Sequence, residues 1–105
     1  MSAYVIVSVE VADPEAYAAY SREVPGTLAP YGGRFVVRGG AFEALEGAWP
    51  SGRIVVLEFP SVDDARAWHA SPAYQAILPI RQKHVRTDFL VVVEGVGSAV
   101  AGPSG

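Results

Sequence analysis

Four stretches of this chain alternate apolar and polar positions with the two-residue period of a strand, and the stretches between them repeat at three and four residues, the period of a helix. Tyr4 to Val11 alternates most cleanly, with Val5, Val7, Val9 and Val11 on one side and Tyr4, Ile6, Ser8 and Glu10 on the other. Asp13-Pro14-Glu15 then opens a helix with a capping carboxylate, a proline at the first helical position and an acid in the first turn. Tyr17, Tyr20, Val24, Leu28 and Tyr31 follow on one helical face, and Gly32-Gly33 supplies a left-handed stop. Pro25 removes one backbone donor and is expected to kink or restart this helix. Arg34 to Arg38 reads as a second strand, Phe35 and Val37 facing opposite to Arg34, Val36 and Arg38. Residues 41–52 form a connection long enough to suggest a functional loop or an interface, unless Leu45-Glu46 extends the hairpin.

The densest β-forming run is Arg53 to Ser61, with Val55, Leu57 and Phe59 on one side and Ile54, Val56 and Glu58 on the other. Pro60 ends it and Ser61-Val-Asp-Asp caps a helix that carries Val62, Ala65, Trp68 and Ala70 inward. Ser71-Pro72 repeats the signal, so a second helical segment starts there and runs through Tyr74, Ile77 and Leu78, perturbed by Pro79. Thr87 to Glu94 is the last strand, with Phe89, Val91 and Val93 set against Leu90, Val92 and Glu94. Residues 1–95 thus read as one domain, and 96–105 as a flexible Gly/Ser/Ala/Pro tail.

The order βαββαβ predicts an α+β, ferredoxin-like fold: a four-stranded antiparallel sheet with two helices on one face. The set Val5, Val7, Val9, Phe35, Val37, Val55, Leu57, Phe59, Phe89, Val91 and Val93 is wholly apolar and is expected to meet the helices. The opposite set is mixed, yet Ile6, Val36, Ile54, Val56, Leu90 and Val92 are many apolar residues to leave facing water. At roughly 25 cal/mol per Å², covering such a face contributes several kcal/mol to association. A homodimer packed through this open sheet face is the expected solution.

At 105 residues, half of them hydrophobic and 18% charged, the chain can fill one core and not two. A net charge of -3 with both signs scattered leaves no basic stripe for a phosphate backbone, which argues against nucleic acid as a partner. Without cysteine there are no disulfides, thiolate metal sites or cysteine nucleophiles, a composition compatible with the cytoplasm. The N-terminal run lacks a basic stretch and soon meets Glu10, so it reads as a strand and not a signal peptide. No apolar run approaches the roughly 20 residues of a membrane span. Phosphate loops, Gly-x-Gly-x-x-Gly, nucleophile elbows and zinc signatures are absent, so no cofactor is expected.

The runs Tyr31-Gly-Gly-Arg34, Arg38-Gly-Gly40, Leu45-Glu-Gly47, Glu58-Phe-Pro-Ser61 and Ser71-Pro-Ala-Tyr-Gln75 together resemble the bacterial family called domain of unknown function 1330. The resemblance spans residues 3–95; only the Gly-rich tail departs from it. It implies the dimeric α/β-barrel fold, whose members include small monooxygenases, decarboxylases and isomerases, and brings no established activity.

Arg38 and Glu58 match polar positions of those runs, and the alternation puts both on the mixed sheet face. Glu58 should lie near Arg34, and Arg38 nearer Arg53 and Ile54. One reading makes Glu58 a pocket acid or base beside an arginine that holds a substrate carboxylate or enolate. The other makes the charges an ion pair that fixes dimer register. His69, beside Trp68, is either a proton shuttle or a half-exposed helix residue, and His84 reads as solvated surface in a basic turn. Two such histidines, without a third ligand at suitable spacing, make a weak metal site, and no metal is expected. Arg81 is placed after the second helix, reaching a pocket mouth or stabilising the helix end. Tyr17, Tyr20, Tyr31, Trp68 and Tyr74 either line an aromatic pocket or fill the core. The candidates are therefore Glu58, Arg38 and His69 for chemistry and Arg34, Arg38, Glu58, Trp68 and Arg81 for binding a small organic ligand. Two functions follow: a cofactor-independent enzyme of the dimeric α/β-barrel type, or a non-catalytic ligand-binding or stress-related module.

Overall fold

The order of elements is β1 (Ala3–Val11), α1 (Pro14–Leu28), β2 (Arg34–Arg38), β3 (Arg53–Phe59), α2 (Val62–Ala70), α3 (Pro72–His84) and β4 (Val85–Glu94). A 3-10 turn, Ala29–Tyr31, continues α1. This computed structural model describes residues 2–50 and 52–96, so nearly all of the expected tail lies outside the described residues. The four strands pair antiparallel in the order β2-β3-β1-β4. Three α-helices, where two were expected, pack against one face.

The capping signals act as read. Asp13 accepts from the Ala16 N–H at 3.2 Å and Ser61 from the Asp64 N–H at 3.1 Å. Ser71 serves two helices at once: its hydroxyl accepts from the Tyr74 N–H at 3.2 Å and donates to the Trp68 carbonyl at 2.7 Å. That one side chain closes α2 and opens α3. At the end of the 3-10 turn, Gly32 takes φ 70° and its N–H bonds the Ala29 carbonyl. A Cβ there would be strained by the backbone and would lie 2.9 Å from Pro60 Cγ. Helix α1 passes through Pro25 without restarting. Ala70, expected inward, is exposed.

The core is the helix-facing side of the sheet, where Val5, Val9, Leu57 and Phe59 are 0–2% exposed, closed by Val24, Leu28, Ala65, Trp68, Tyr74 and Leu78 from the helices. Trp68 lies at its centre, its ring 4.2 Å from Tyr74 and 5.4 Å from Phe59, its indole N–H donating to Thr27 Oγ1 at 3.0 Å. That bond satisfies a polar group that burial would otherwise penalise.

Two β-bulges overturn part of the expected facing. Between β1 and β4 the register shifts at Ser8/Val9: Val9 pairs with Thr87 but Ser8 with Phe89, so Asp88 is the extra residue. Beyond it Leu90 and Val92 stand opposite Val7 and Val5 on the helix side, whereas Phe89, Val91 and Val93 join Ser8, Ile6 and Tyr4 on the open face. The expected assignment of β4 is reversed, because one inserted residue exchanges the two faces of everything after it. Asp88 is held at the bulge by Ser8 Oγ at 2.9 Å and Arg86 at 3.4 Å. A second shift between Phe35 and Val37 leaves Val37 opposite Val56 and Arg38 opposite Val55. Val37 therefore turns to the open face and Arg38 to the helix side, the reverse of the alternation.

The open face carries Ile6, Ile54, Val56, Val91 and Val93, the last two 44% and 45% exposed. Between Arg38 and Arg53 no strand extension forms among the described residues. Instead the Trp49 ring packs 6.3 Å from Phe42 and 5.7 Å from Phe89, covering one end of this face. Among the described residues no helix is long and apolar enough to cross a membrane.

Candidate functional site

A small cavity lies between α1, α3 and the sheet, enclosing about 20 Å³, space for about one water. Its walls are Val7, Val55, Leu57 and Leu90 from the strands, Tyr20 and Val24 from α1, and Trp68 from α2. Three arginines reach it from three elements: Arg38 (β2), Arg53 (β3) and Arg81 (α3). No Asp or Glu is among the described residues that line it.

Arg81 is the most unusual of the three. It lies within α3 and not after it, because Pro79 does not end the helix. The residue is 5% exposed, and its Nε and Nη1 are buried without a hydrogen-bond partner among the described residues. The Tyr20 ring gives it partial compensation, its centroid 5.9 Å from the guanidinium carbon. That contact is weak against the cost of burying a cation, which runs to several kcal/mol even after relaxation.

Arg38 and Arg53 stand at the outer end. The missing N–H of Pro25 leaves the Ser21 carbonyl without its helical donor, and Arg38 Nη2 donates to that oxygen at 3.0 Å and to Ser21 Oγ at 3.3 Å. Its guanidinium carbon lies 4.1 Å from the Phe35 ring centroid. Arg53 Nε donates to the Tyr17 hydroxyl at 3.1 Å. The Arg53 guanidinium lies against Gly39, at φ 71°, in the space a Cβ would occupy. Tyr17, Ser21 and Arg53 also line a wider surface groove beside Val11, Pro14 and Ala18, so the cavity meets solvent on this side.

On its other side the cavity shares Trp68 and Leu90 with a groove of about 280 Å³ lined by Val5, Ala65, Arg66, His69 and Val92. The His69 ring is 5.5 Å from Tyr74. Burial, assisted by the Arg81 charge, lowers its pKa below the ordinary 6.5, so the imidazole is neutral at pH 7 and free to accept a proton. Tyr20 and Tyr74 share a hydrogen bond of 2.7 Å. Burial raises both phenols above the ordinary 10.0, which keeps them protonated.

The sequence-level candidates divide between the two faces of the sheet. Arg38, Trp68 and Arg81 come together at the cavity with His69 in the adjoining groove, whereas Glu58 and Arg34 lie apart. Glu58 pairs with Arg34 across the β2–β3 register and accepts from the Tyr4 hydroxyl at 3.1 Å. Arg34 first, and the Tyr4 and Ser2 hydrogen bonds after it, hold its carboxyl below the ordinary 4.5 despite partial burial. It is a carboxylate at neutral pH, engaged on the open side, and does not share a pocket with Arg38. His84 ends α3, half-buried and 4.0 Å from the Asp13 carboxylate, and not in a solvated turn. Of the aromatic residues, Tyr17, Tyr20 and Trp68 line the cavity and Tyr74 is fully buried core. Sequence reasoning missed Ser21, Arg53 and the burial of Arg81; only Pro25, whose lost donor exposes the Ser21 carbonyl, pointed toward this corner. Among the described residues no group of three or more His, Asp or Glu is placed to hold a metal ion.

The chain matches, over residues 2–96, the family described as Domain of unknown function (DUF1330). No curated protein matches it. Among solved structures it is similar to the RPA0582 protein of unknown function from Rhodopseudomonas palustris, at 23% identity and a TM-score of 0.66, covering 91% of this chain and 83% of that one. SnoaB, a cofactor-independent oxygenase from Streptomyces nogalater, aligns at 12% identity and a TM-score of 0.62 over 92% of this chain and 95% of its own. A dimeric ferredoxin-like protein of unknown function from Thermobifida fusca aligns at 20% identity and a TM-score of 0.56, over 90% of each chain. At these identities the likeness establishes the ferredoxin-like fold.

Proposed function

We propose, from the premise that this chain belongs to the DUF1330 family, that it is a homodimer whose subunits each receive a small organic molecule between the helices and the sheet. The observation that carries this reading is Arg81, a buried guanidinium with unpaired donors at the wall of an apolar cavity. An apolar pocket with a few converging polar groups is the usual form of a small-molecule site. The dimer is supported by the exposed valines of the open face and by the dimeric state of the Thermobifida fusca relative. Packing two such sheets face to face gives the dimeric α/β barrel and leaves both cavities on its outer, helical side.

The catalytic form of this reading is cofactor-independent proton transfer on a carbonyl or aromatic substrate, in which neutral His69 takes a proton and Arg81 stabilises the resulting oxyanion. The oxygenase SnoaB, built on the same fold, lends it support. A non-catalytic ligand-binding module is the second reading. It is favoured by the position of Glu58, which is engaged on the other face, so that no carboxylate base is among the described residues lining the cavity.

Trp68 provides the test. In Trp49→Phe protein the cavity-wall indole is the single tryptophan, so a metabolite that enters quenches or shifts its emission and raises the melting temperature. A broad library that changes neither would refute the pocket. Mass spectrometry of a ligand incubated with the protein separates the two forms: turnover in the wild type that is lost in His69→Gln supports catalysis, and an unaltered ligand supports the binding module.

A further inference from the structure

We propose that the cavity, on the reading just given, selects an organic anion: a carboxylate or enolate oxygen carried on an apolar body, with the charge held by Arg81. The chain as a whole is acidic, with eleven Asp and Glu against eight Lys and Arg, yet the cavity lining has three arginines and no acid among the described residues. That local reversal of sign is what an anionic ligand requires. Among the described residues no carboxylate forms an ion pair with Arg81. The Tyr20 hydroxyl is engaged with Tyr74 and stays protonated, and the Tyr17 hydroxyl already accepts from Arg53. Nε and Nη1 of Arg81 thus remain as buried donors without an acceptor among the described residues, and a carboxylate oxygen is the acceptor that a guanidinium binds best.

The outer arginines fit the same role. Arg38 is tethered to Ser21 and Arg53 to Tyr17, through neutral oxygens that an incoming anion can displace. Since the enclosed space is about 20 Å³, these two side chains swing aside to admit the ligand, and being long and flexible they can do so without moving a strand. The aliphatic and aromatic walls exclude a strongly hydrated ion such as inorganic phosphate, for which they offer no further donors.

Titration calorimetry with phenylacetate, its uncharged counterpart phenylacetamide and inorganic phosphate tests the inference on the wild type and on Arg81→Met. The wild type should bind phenylacetate at least about tenfold more tightly than phenylacetamide or phosphate, the scale of a charged hydrogen bond. Arg81→Met should lose that preference while melting, without ligand, no lower than the wild type, because a buried unpaired charge has been removed. Equal binding of acid and amide would overturn the anion and leave the pocket standing; binding of neither would overturn both. Phosphate bound as tightly as phenylacetate, or an unchanged preference in Arg81→Met, would also overturn the proposal. Should Arg81→Met fail to fold, the mouth variant Arg38→Gln/Arg53→Gln decides: it must weaken phenylacetate and spare phenylacetamide, and equal loss for both sinks the idea.

Discussion

At the scale of single residues, the charged and titratable groups here are sorted by what surrounds them and not by type. Glu58 and Arg81 are both charged groups among apolar neighbours, but among the described residues Glu58 is paired with Arg34 and Tyr4 whereas Arg81 Nε and Nη1 have no hydrogen-bond partner. The carboxylate is therefore engaged by its neighbours, whereas the guanidinium keeps buried donors without a partner among the described residues. Glu58 also raises the pKa of the Tyr4 phenol, chiefly through their hydrogen bond, so the two behave as carboxylate and phenol throughout the neutral range. His69 carries a pH prediction. Folding lowers its pKa, so its contribution is complete above the ordinary 6.5 and is lost as pH falls through the folded-state value. Urea denaturation between about pH 5 and 7 should show stability falling on the acid side, and His69→Gln should flatten that slope. An unchanged slope would mean that other groups govern it.

At the scale of elements, single side chains decide where segments begin and which way they face. Ser71 caps α3 and ties down the last turn of α2, so Ser71→Ala should cost about 1–2 kcal/mol, read as a lower urea midpoint at constant slope. A loss confined to a few tenths would show that the two helices hold without it. The strands illustrate the other side of local control. Alternation within Arg34–Arg38 and Thr87–Glu94 was plain in the sequence, yet both strands change face at a bulge. A bulge leaves the two-residue period intact on each side of it, so nothing in the run of residue types signals the slip. Asp88 shows its cause only when Ser8 and Arg86 are seen around it.

For the whole molecule, the consequence of those slips is two faces with different work. The helix side holds the core and, where Arg38 has turned inward, the cationic cavity. The open side keeps Val37, Val91 and Val93 beside Ile6, Ile54 and Val56, and so remains apolar although its members changed. The expectation of a partner thus survives the exchange of residues that motivated it. Val91→Glu would place a charge opposite Ile6, in the middle of that face. It should yield a monomer by sedimentation at micromolar concentration with the far-ultraviolet dichroism of the wild type. A wild type that sediments as a monomer would remove the dimer, and with it the barrel, from the proposed function.

What the sequence determined by itself is the order of elements, their caps and stops, and the family, because these rest on local signals: the Asp13-Pro14 and Ser71-Pro72 starts, the Gly32 stop and the valine alternation of β1. It also brought forward Trp68 and Arg81 as candidates by residue type and Arg38 by its match to the family's runs. Which of them meet was decided by tertiary structure. Arg38 could join Arg81 only after a bulge reversed its strand, and Arg81 became exceptional only when α3 carried it into the core beside Tyr20. Glu58 was drawn away by the register that set it opposite Arg34. Burial and pairing are relations between distant segments, and they bring these arginines together at one cavity as a candidate site.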